Sequence, residues 1–286
     1  MKIIRLEKQH LNYARDFIEP FEYRCCLLAQ NIRQSSENLY VVIKGQALNG
    51  KEDFAGIFNI DKNFLHCFPL FFEKQFEKVD KEDLKQLFIS FFEGKNIKCL
   101  TGEHRTNEFF LQILEQMNYK PQKINIYKSM ILDDEMNPPP EELSLDDEIR
   151  RCTTDNLEEL IPLQKDYLLK EVAIPGQQIS SLEASVSLKQ IFKNQLCFAL
   201  YSDDEPVAKA NTNAIGFNYI QIGGVYTHPL YRRNYYAWHL MYKIAKRIIL
   251  SRKKVTLFVK IQNESAKSLY KRQGFIEAGD FSISYF

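Results

Sequence analysis

Residues 133–148 read DDEMNPPPEELSLDDE, and no other stretch restricts the fold of this chain as strongly. Each proline at 138–140 lacks an amide donor and holds φ at about −65°, so the run is extended and sits inside neither a helix nor a central strand. The 16-residue segment also holds 8 acids and no base. It reads as a linker at 133–148 between domains at 1–132 and 149–286. With 286 residues, 45% of them apolar, the chain can build a core on each side of it.

Periodicity gives both halves one plan. The first opens on KIIRL as a strand, followed by helical residues 12–34 with a break near Pro20. LYVVIKG, DFAGIFNID and FLHCFPLF read as three strands, residues 81–93 as an amphipathic helix, IKCLTG as a strand, 107–117 as a helix and QKINIYKSMIL as a last strand. The second half repeats the order. EIRRC is a strand, and residues 155–170 are a helix with Asp155 as N-cap. Residues 181–194 are a second helix, and LCFALYS and VAKANTNAIG form a hairpin about DDEP. YIQIGGVYT, helix 237–251, VTLFVKI, helix 264–272 and FIEAGDFSISYF complete it. An offset of 156 residues lays NEFFLQILEQMNY over NESAKSLYKRQGF without a gap, which points to an internal duplication.

Charge divides the halves again. From Lys209 to Arg272 there are 13 Lys and Arg against one acid, Glu264, a surface suited to a polyanionic ligand. The six cysteines show no CxxC pair and no metal-ligand spacing, and the five histidines are scattered. We therefore expect reduced thiols in a cytoplasmic protein and no metal. No run of about 18 apolar residues predicts a membrane span, and the charged N-terminus does not read as a signal peptide.

VYTHPLYRRNYYA and NESAKSLYKRQGF carry a family resemblance. The first resembles the pyrophosphate loop of the GCN5-related N-acetyltransferase (GNAT) superfamily, Arg/Gln-x-x-Gly-x-Gly/Ala. The second resembles that family's Asn-x-x-Ala-x-x-Leu-Tyr-x-x-x-Gly-Phe, with Asn263, Ala266, Leu269, Tyr270, Gly274 and Phe275 in place. The element order matches as well. The resemblance implies an α+β fold, a mixed sheet in α/β/α layers. The chain would be two tandem GNAT-like domains, the copy at 1–132 degenerate and that at 149–286 binding acetyl-CoA. Arg232 and Ala237 keep their places in the loop, but Arg233 and Tyr235 stand where the family has glycines.

The resemblance also implies roles. Main-chain donors of Arg232, Arg233, Asn234, Tyr235, Tyr236, Ala237 and Trp238 would meet the pyrophosphate at a helix start, where unpaired N–H groups favour anions. The side chains of Arg232, Arg233, Lys267 and Lys271 would add phosphate pairing. Gly223-Gly224 marks a bulge where the strand splays, admitting the pantetheine arm to main-chain groups of Val225, Tyr226 and Thr227. Tyr270 is the catalytic candidate, a phenol that protonates the departing thiolate. In the first half the aligned position is Leu114. Asn263 either contacts the cofactor arm or caps its helix. His228 reads as structural, and Glu171, Tyr219, Gln221 or an ordered water remain open as the base. LFFEKQFEKVD, the first half's counterpart of the loop, has three acids and no arginine. The first half is therefore expected to bind no CoA, and to shape the acceptor site or dimerise.

Two functions fit. One is acetyl-CoA-dependent N-acetyl transfer to a small-molecule or peptide amine, favoured by Tyr270 and Asn263. The other is a GNAT-derived non-catalytic CoA-binding or regulatory protein, favoured by the missing glycines. Nucleic-acid binding through the basic strip lacks a recognition helix or stacking surface. The chain is expected to be a monomer or homodimer.

Overall fold

A computed structural model describes residues 1–61, 63–69, 81–132, 135–174 and 176–286. It divides into two compact units, Met1–Ser129 with Ala278–Phe286, and Met130–Glu277. No helix among the described residues is long and apolar enough to cross a membrane, and all six cysteines are buried free thiols.

The first unit begins with β1 (Lys2–Arg5), α1 (Leu11–Ile18) and α2 (Cys26–Arg33). A 3-10 stretch, Glu19–Arg24, separates the two helices, with Pro20 in its first turn. β2 (Leu39–Ile43), β3 (Phe54–Asp61), β4 (Phe64–Pro69), α3 (Lys81–Phe92), β5 (Cys99–Glu103), α4 (His104–Gln116) and β6 (Lys123–Leu132) follow. The first four strands pair antiparallel in order, and β4 pairs β5 in parallel over four rungs, Phe64–Cys99 to Cys67–Gly102. Leu84, Phe88 and Phe92 of α3 pack with Phe110 and Leu114 of α4 on Phe58, Leu65 and Leu100. The segment expected to oppose a phosphate here, residues 70–80, lies outside the described residues.

The second unit contains β7 (Asp147–Cys152), α5 (Leu157–Tyr167), one π-helical turn (Leu168–Val172), α6 (Ser181–Asn194), β8 (Cys197–Ser202) and β9 (Glu205–Ile215). β10 (Tyr219–Thr227), α7 (Tyr236–Leu250), β11 (Lys254–Lys260), α8 (Glu264–Arg272) and β12 (Ile276–Tyr285) complete the chain. β7 to β10 pair antiparallel in order and β10 pairs β11 in parallel, the same pattern as in the first unit. Successive residues of β8 face opposite sides, as the period of a strand dictates. Phe198 and Leu200 join Leu240, Met241, Ile244 and Ile248 of α7, whereas Cys197, Ala199 and Tyr201 meet Leu160, Leu163 and Leu188 of α5 and α6. The sheet thus lies between two helical layers, and each apolar side chain buried there contributes roughly 1.5–3 kcal/mol. Asp203 and Asp204 close the β8–β9 hairpin with φ of 50° and 61°, a two-residue turn that Asp tolerates.

Three local details differ from the sequence reading. Asp155 is not the cap of α5. Thr153 caps a 3-10 turn, Thr154–Asn156, by accepting from the Asp155 N–H at 3.3 Å, and the α-helix starts behind it. The terminal strand does not close the second half alone, because its residues from Ala278 onward belong to the first unit, where Phe281–Tyr285 pairs antiparallel with β5. The linker's last two residues, Asp147 and Glu148, open β7, and Asp147 accepts from the Tyr236 hydroxyl at 3.1 Å.

Candidate acetyl-CoA site

The site begins where β10 leaves β11. Their register runs from Tyr219–Lys254 to Ile222–Leu257 and stops, although β10 continues to Thr227 and β11 to Lys260. On its other side β10 stays on β9, but Gly223 pairs Asn211 and Tyr226 pairs Lys209, so β10 carries one extra residue. This is a bulge with Gly224 in the left-handed region at φ 59°. A Cβ on Gly224 would strike the Asn211 side chain, and one on Gly223 would strike Asn213. Two packed asparagines therefore account for both glycines. From the bulge onward, Val225, Tyr226 and Thr227 have no β11 neighbour in register.

The chain then reaches the loop before α7. Arg233 has φ 72° and Tyr235 φ 56°, the two positions where the family has glycine. The loop thus keeps a glycine-like backbone with side chains attached, at a strain of roughly 1–2 kcal/mol each. Positive φ at alternate positions is the kind of backbone in which successive N–H groups can converge as an anion-binding nest. The Arg232 N–H donates to Pro229 at 3.4 Å and the Trp238 N–H to Tyr235 at 2.8 Å. Among the described residues the N–H groups at 233–237 donate to no protein acceptor. The free run is one residue shorter at each end than the expected Arg232-to-Trp238 run. No side chain caps α7, and no acid lies in its first turn. Arg233→Gly should raise stability by roughly 1 kcal/mol, measured by urea denaturation, because glycine removes the left-handed strain.

The side chains around this loop are held from behind. Tyr235 meets Trp238 edge-on, with centroids 6.3 Å apart. Trp238 is buried, donates from Nε1 to the Asn137 carbonyl at 3.1 Å and lies under the Arg272 guanidinium. Tyr236 turns back to Asp147. Arg232 donates from Nε to the Thr227 carbonyl at 3.2 Å. Lys267 pairs with Glu264 at 2.7 Å, one turn away on α8.

Tyr270 lies on α8 with its ring packed on Phe275 at 5.9 Å. It is buried, and burial together with Tyr167 and the Glu171 carboxylate pushes its pKa well above the ordinary phenol value. The phenol therefore keeps its proton throughout the physiological range. Its hydroxyl makes no hydrogen bond among the described residues. Asn263 caps α8, its Oδ1 accepting from the Ala266 N–H at 3.1 Å. Of the three candidate bases, Glu171 acts on Tyr270 electrostatically, and its carboxylate accepts from Lys260 at 2.9 Å. Tyr219 and Gln221 lie before the splay, within the β10–β11 register. His228 meets Tyr231 edge-on, and its Nδ1 is buried without a partner.

Sequence reasoning missed the π-helical turn that carries Glu171, a distortion frequent at functional sites. It also missed Lys209, which is fully buried on β9. The available signal was a lysine inside VAKANTNAIG, a strand with apolar or small residues on both sides.

The sequence profile of the acetyltransferase (GNAT) family matches residues 160–275. No curated protein matches the chain in sequence. A Drosophila protein of known structure superposes with a TM-score of 0.70 at 13% identity, covering 99% of this chain and 98% of its own. A GNAT-family acetyltransferase from Colwellia psychrerythraea gives 0.54 at 9% identity, over 100% and 99%. A GCN5-related N-acetyltransferase from Sphaerobacter thermophilus gives 0.55 at 12% identity, over 99% and 94%. At such identities these likenesses show the fold. Profile, strand order, bulge and splay agree, and residues 160–275 of this chain belong to the acetyltransferase (GNAT) family.

Proposed function

We propose that the second unit is an acetyl-CoA-dependent N-acetyltransferase acting on an amine, and that the first is a degenerate copy of the same fold. The observation that carries the reading is the run of unpaired N–H groups at 233–237, placed at the start of α7. Phosphate oxygens of the pyrophosphate would accept from it, with the helix dipole adding to the attraction. Arg232 and Arg233 contribute charge at its rim. The pantetheine arm follows the free edge of β10 along Val225, Tyr226 and Thr227, which brings the thioester to the splay. Asn263 stands at the start of α8 beside that path, and Lys267 is available to a phosphate by exchange from Glu264.

The acceptor amine attacks the thioester carbonyl directly. Its excess proton leaves to Glu171, and Tyr270 delivers a proton to the departing sulfur. The phenol suits that role because it is protonated and its hydroxyl is otherwise unengaged. In the first unit the aligned side chain, Leu114, is part of the core and offers no such group.

A thermal-shift titration tests the reading. A ligand bound only by the folded state stabilises it by about 2.7 kcal/mol at 100 times its Kd. Acetyl-CoA and CoA should both raise Tm, and no shift at saturation would overturn the proposal. Binding without turnover across a panel of amines would instead establish a non-catalytic CoA-binding protein.

A further inference from the structure

Lys209 is the one lysine of β9, and it is fully buried. Its Nζ donates to the Gly224 carbonyl at 3.0 Å and lies 4.6 Å from the centre of the Tyr167 ring. No ion pair to a carboxylate holds it among the described residues. A buried ammonium without a carboxylate is costly, and a methionine would fill the same space more cheaply. Its placement therefore calls for an explanation beyond packing.

The explanation lies in the peptide it grips. The Gly224 carbonyl and the Val225 N–H belong to one planar trans amide, so they point in opposite directions. Fixing the oxygen fixes the direction of the N–H. A cation on the oxygen also draws electron density from the nitrogen, making its hydrogen a stronger donor, as polarised hydrogen-bond chains do. Val225 is the second residue of the bulge, where β10 has lost its β11 neighbour.

We propose that Lys209 is a positioning residue for acetyl transfer, holding the Gly224 carbonyl so that the Val225 N–H is aimed at and polarised toward the thioester oxygen. This rests on the function proposed above. In the transfer, the carbonyl oxygen gains negative charge as the amine nitrogen adds, and loses it again when the C–S bond breaks. A donor strengthened from behind by a fixed charge favours the charged state over the ground state and needs no rearrangement.

The groups facing the ammonium are Tyr167 from α5, Tyr226 opposite it on β10, Cys197 from β8 and Cys152 from β7. Burial lowers its pKa to about 8, while Cys197 and Cys152 act in the other direction. Lys209 is thus charged below about pH 8 and neutral above it, and the polarisation should disappear as pH rises through that value.

The test is isotope-edited infrared spectroscopy of bound acetyl-CoA carrying carbon-13 at the thioester carbonyl. In the wild type at low pH, the carbonyl stretch should lie below that of free acetyl-CoA. It should move back toward the free value with a one-proton midpoint near about 8. In Lys209→Met the band should stay at its high-pH position throughout. Affinity for CoA, which has no acetyl carbonyl, should change by less than about threefold by calorimetry, since the phosphate nest is untouched. A wild-type band that binds normally but does not shift with pH overturns this inference alone. Failure of the wild type to bind CoA overturns the proposed function, and this inference with it. The wild-type titration decides the matter even if the variant does not fold.

Discussion

Tyr270→Phe should lower acetyl-CoA-dependent thiol release in the presence of an accepted amine by roughly 100-fold or more, with affinity for CoA within about threefold. The substitution removes one oxygen from a ring whose remaining atoms stay packed on Phe275. That oxygen makes no hydrogen bond among the described residues, so its loss leaves no orphaned partner. Removing a hydroxyl that pairs with no protein group leaves stability nearly unchanged. Catalysis and stability should therefore move apart, Tm holding while turnover falls. A residue whose role is packing would show the opposite pattern. Equal turnover in the variant, measured with a thiol reagent alongside thermal melts, would remove Tyr270 from the mechanism. A fall in CoA affinity of the same size as the fall in turnover would give it a binding role instead.

Much of this was legible in the sequence. Element order could be read because the strands and helices of the second unit alternate in period, and helices 181–194 and 264–272 carry Ser180 and Asn263 as caps. The bulge could be placed from Gly223 and Gly224, since glycine in a strand marks close packing, and Asn211 and Asn213 supply it. What could not be read depends on contacts distant in sequence. Phe281 alternates as well with one neighbour as with another, so no local pattern assigns β12 to β5. The 156-residue offset places Asn107 over Asn263, but α4 starts four residues earlier than the match implies. Asn107 is thus inside the helix, fully buried and donating to the Ser282 carbonyl at 2.8 Å, and Glu103 is the cap. A conserved letter at a fixed offset does not carry its role when the helix start shifts. Lys209 shows the same limit, because its partner is a main-chain carbonyl exposed by a bulge on the next strand.

The loop at 233–237 poses the question of what a glycine-free phosphate site requires, and two substitutions at Tyr235 separate the possible answers. Tyr235→Gly should retain CoA binding, within about threefold, because it keeps both the N–H and a residue at ease with φ 56°. It loses the ring contact with Trp238, which is edge-on and modest. Tyr235→Pro should weaken CoA binding by roughly 100-fold. It removes one donor outright and forces φ to about −65°, turning the neighbouring N–H groups out of the nest. A hydrogen bond to a charged group is worth roughly 1.5–3 kcal/mol, so one lost donor with displaced neighbours accounts for that factor. The helix itself should survive, because residue 235 is its N-cap and supplies a carbonyl, at 2.8 Å to the Trp238 N–H and 3.0 Å to that of His239. Proline retains that carbonyl. Circular dichroism should therefore change little while calorimetry with CoA loses its signal. If instead both variants lose binding alike, the tyrosine ring rather than the backbone holds the ligand. If both keep it, the phosphates bind through Arg232 and Arg233 alone. The expected split, glycine permissive and proline not, follows from the physical role of glycine in such loops. Glycine makes the left-handed backbone inexpensive, and the phosphate requires the backbone, so a loop that maintains that conformation with Arg233 and Tyr235 retains the donors and accepts the strain.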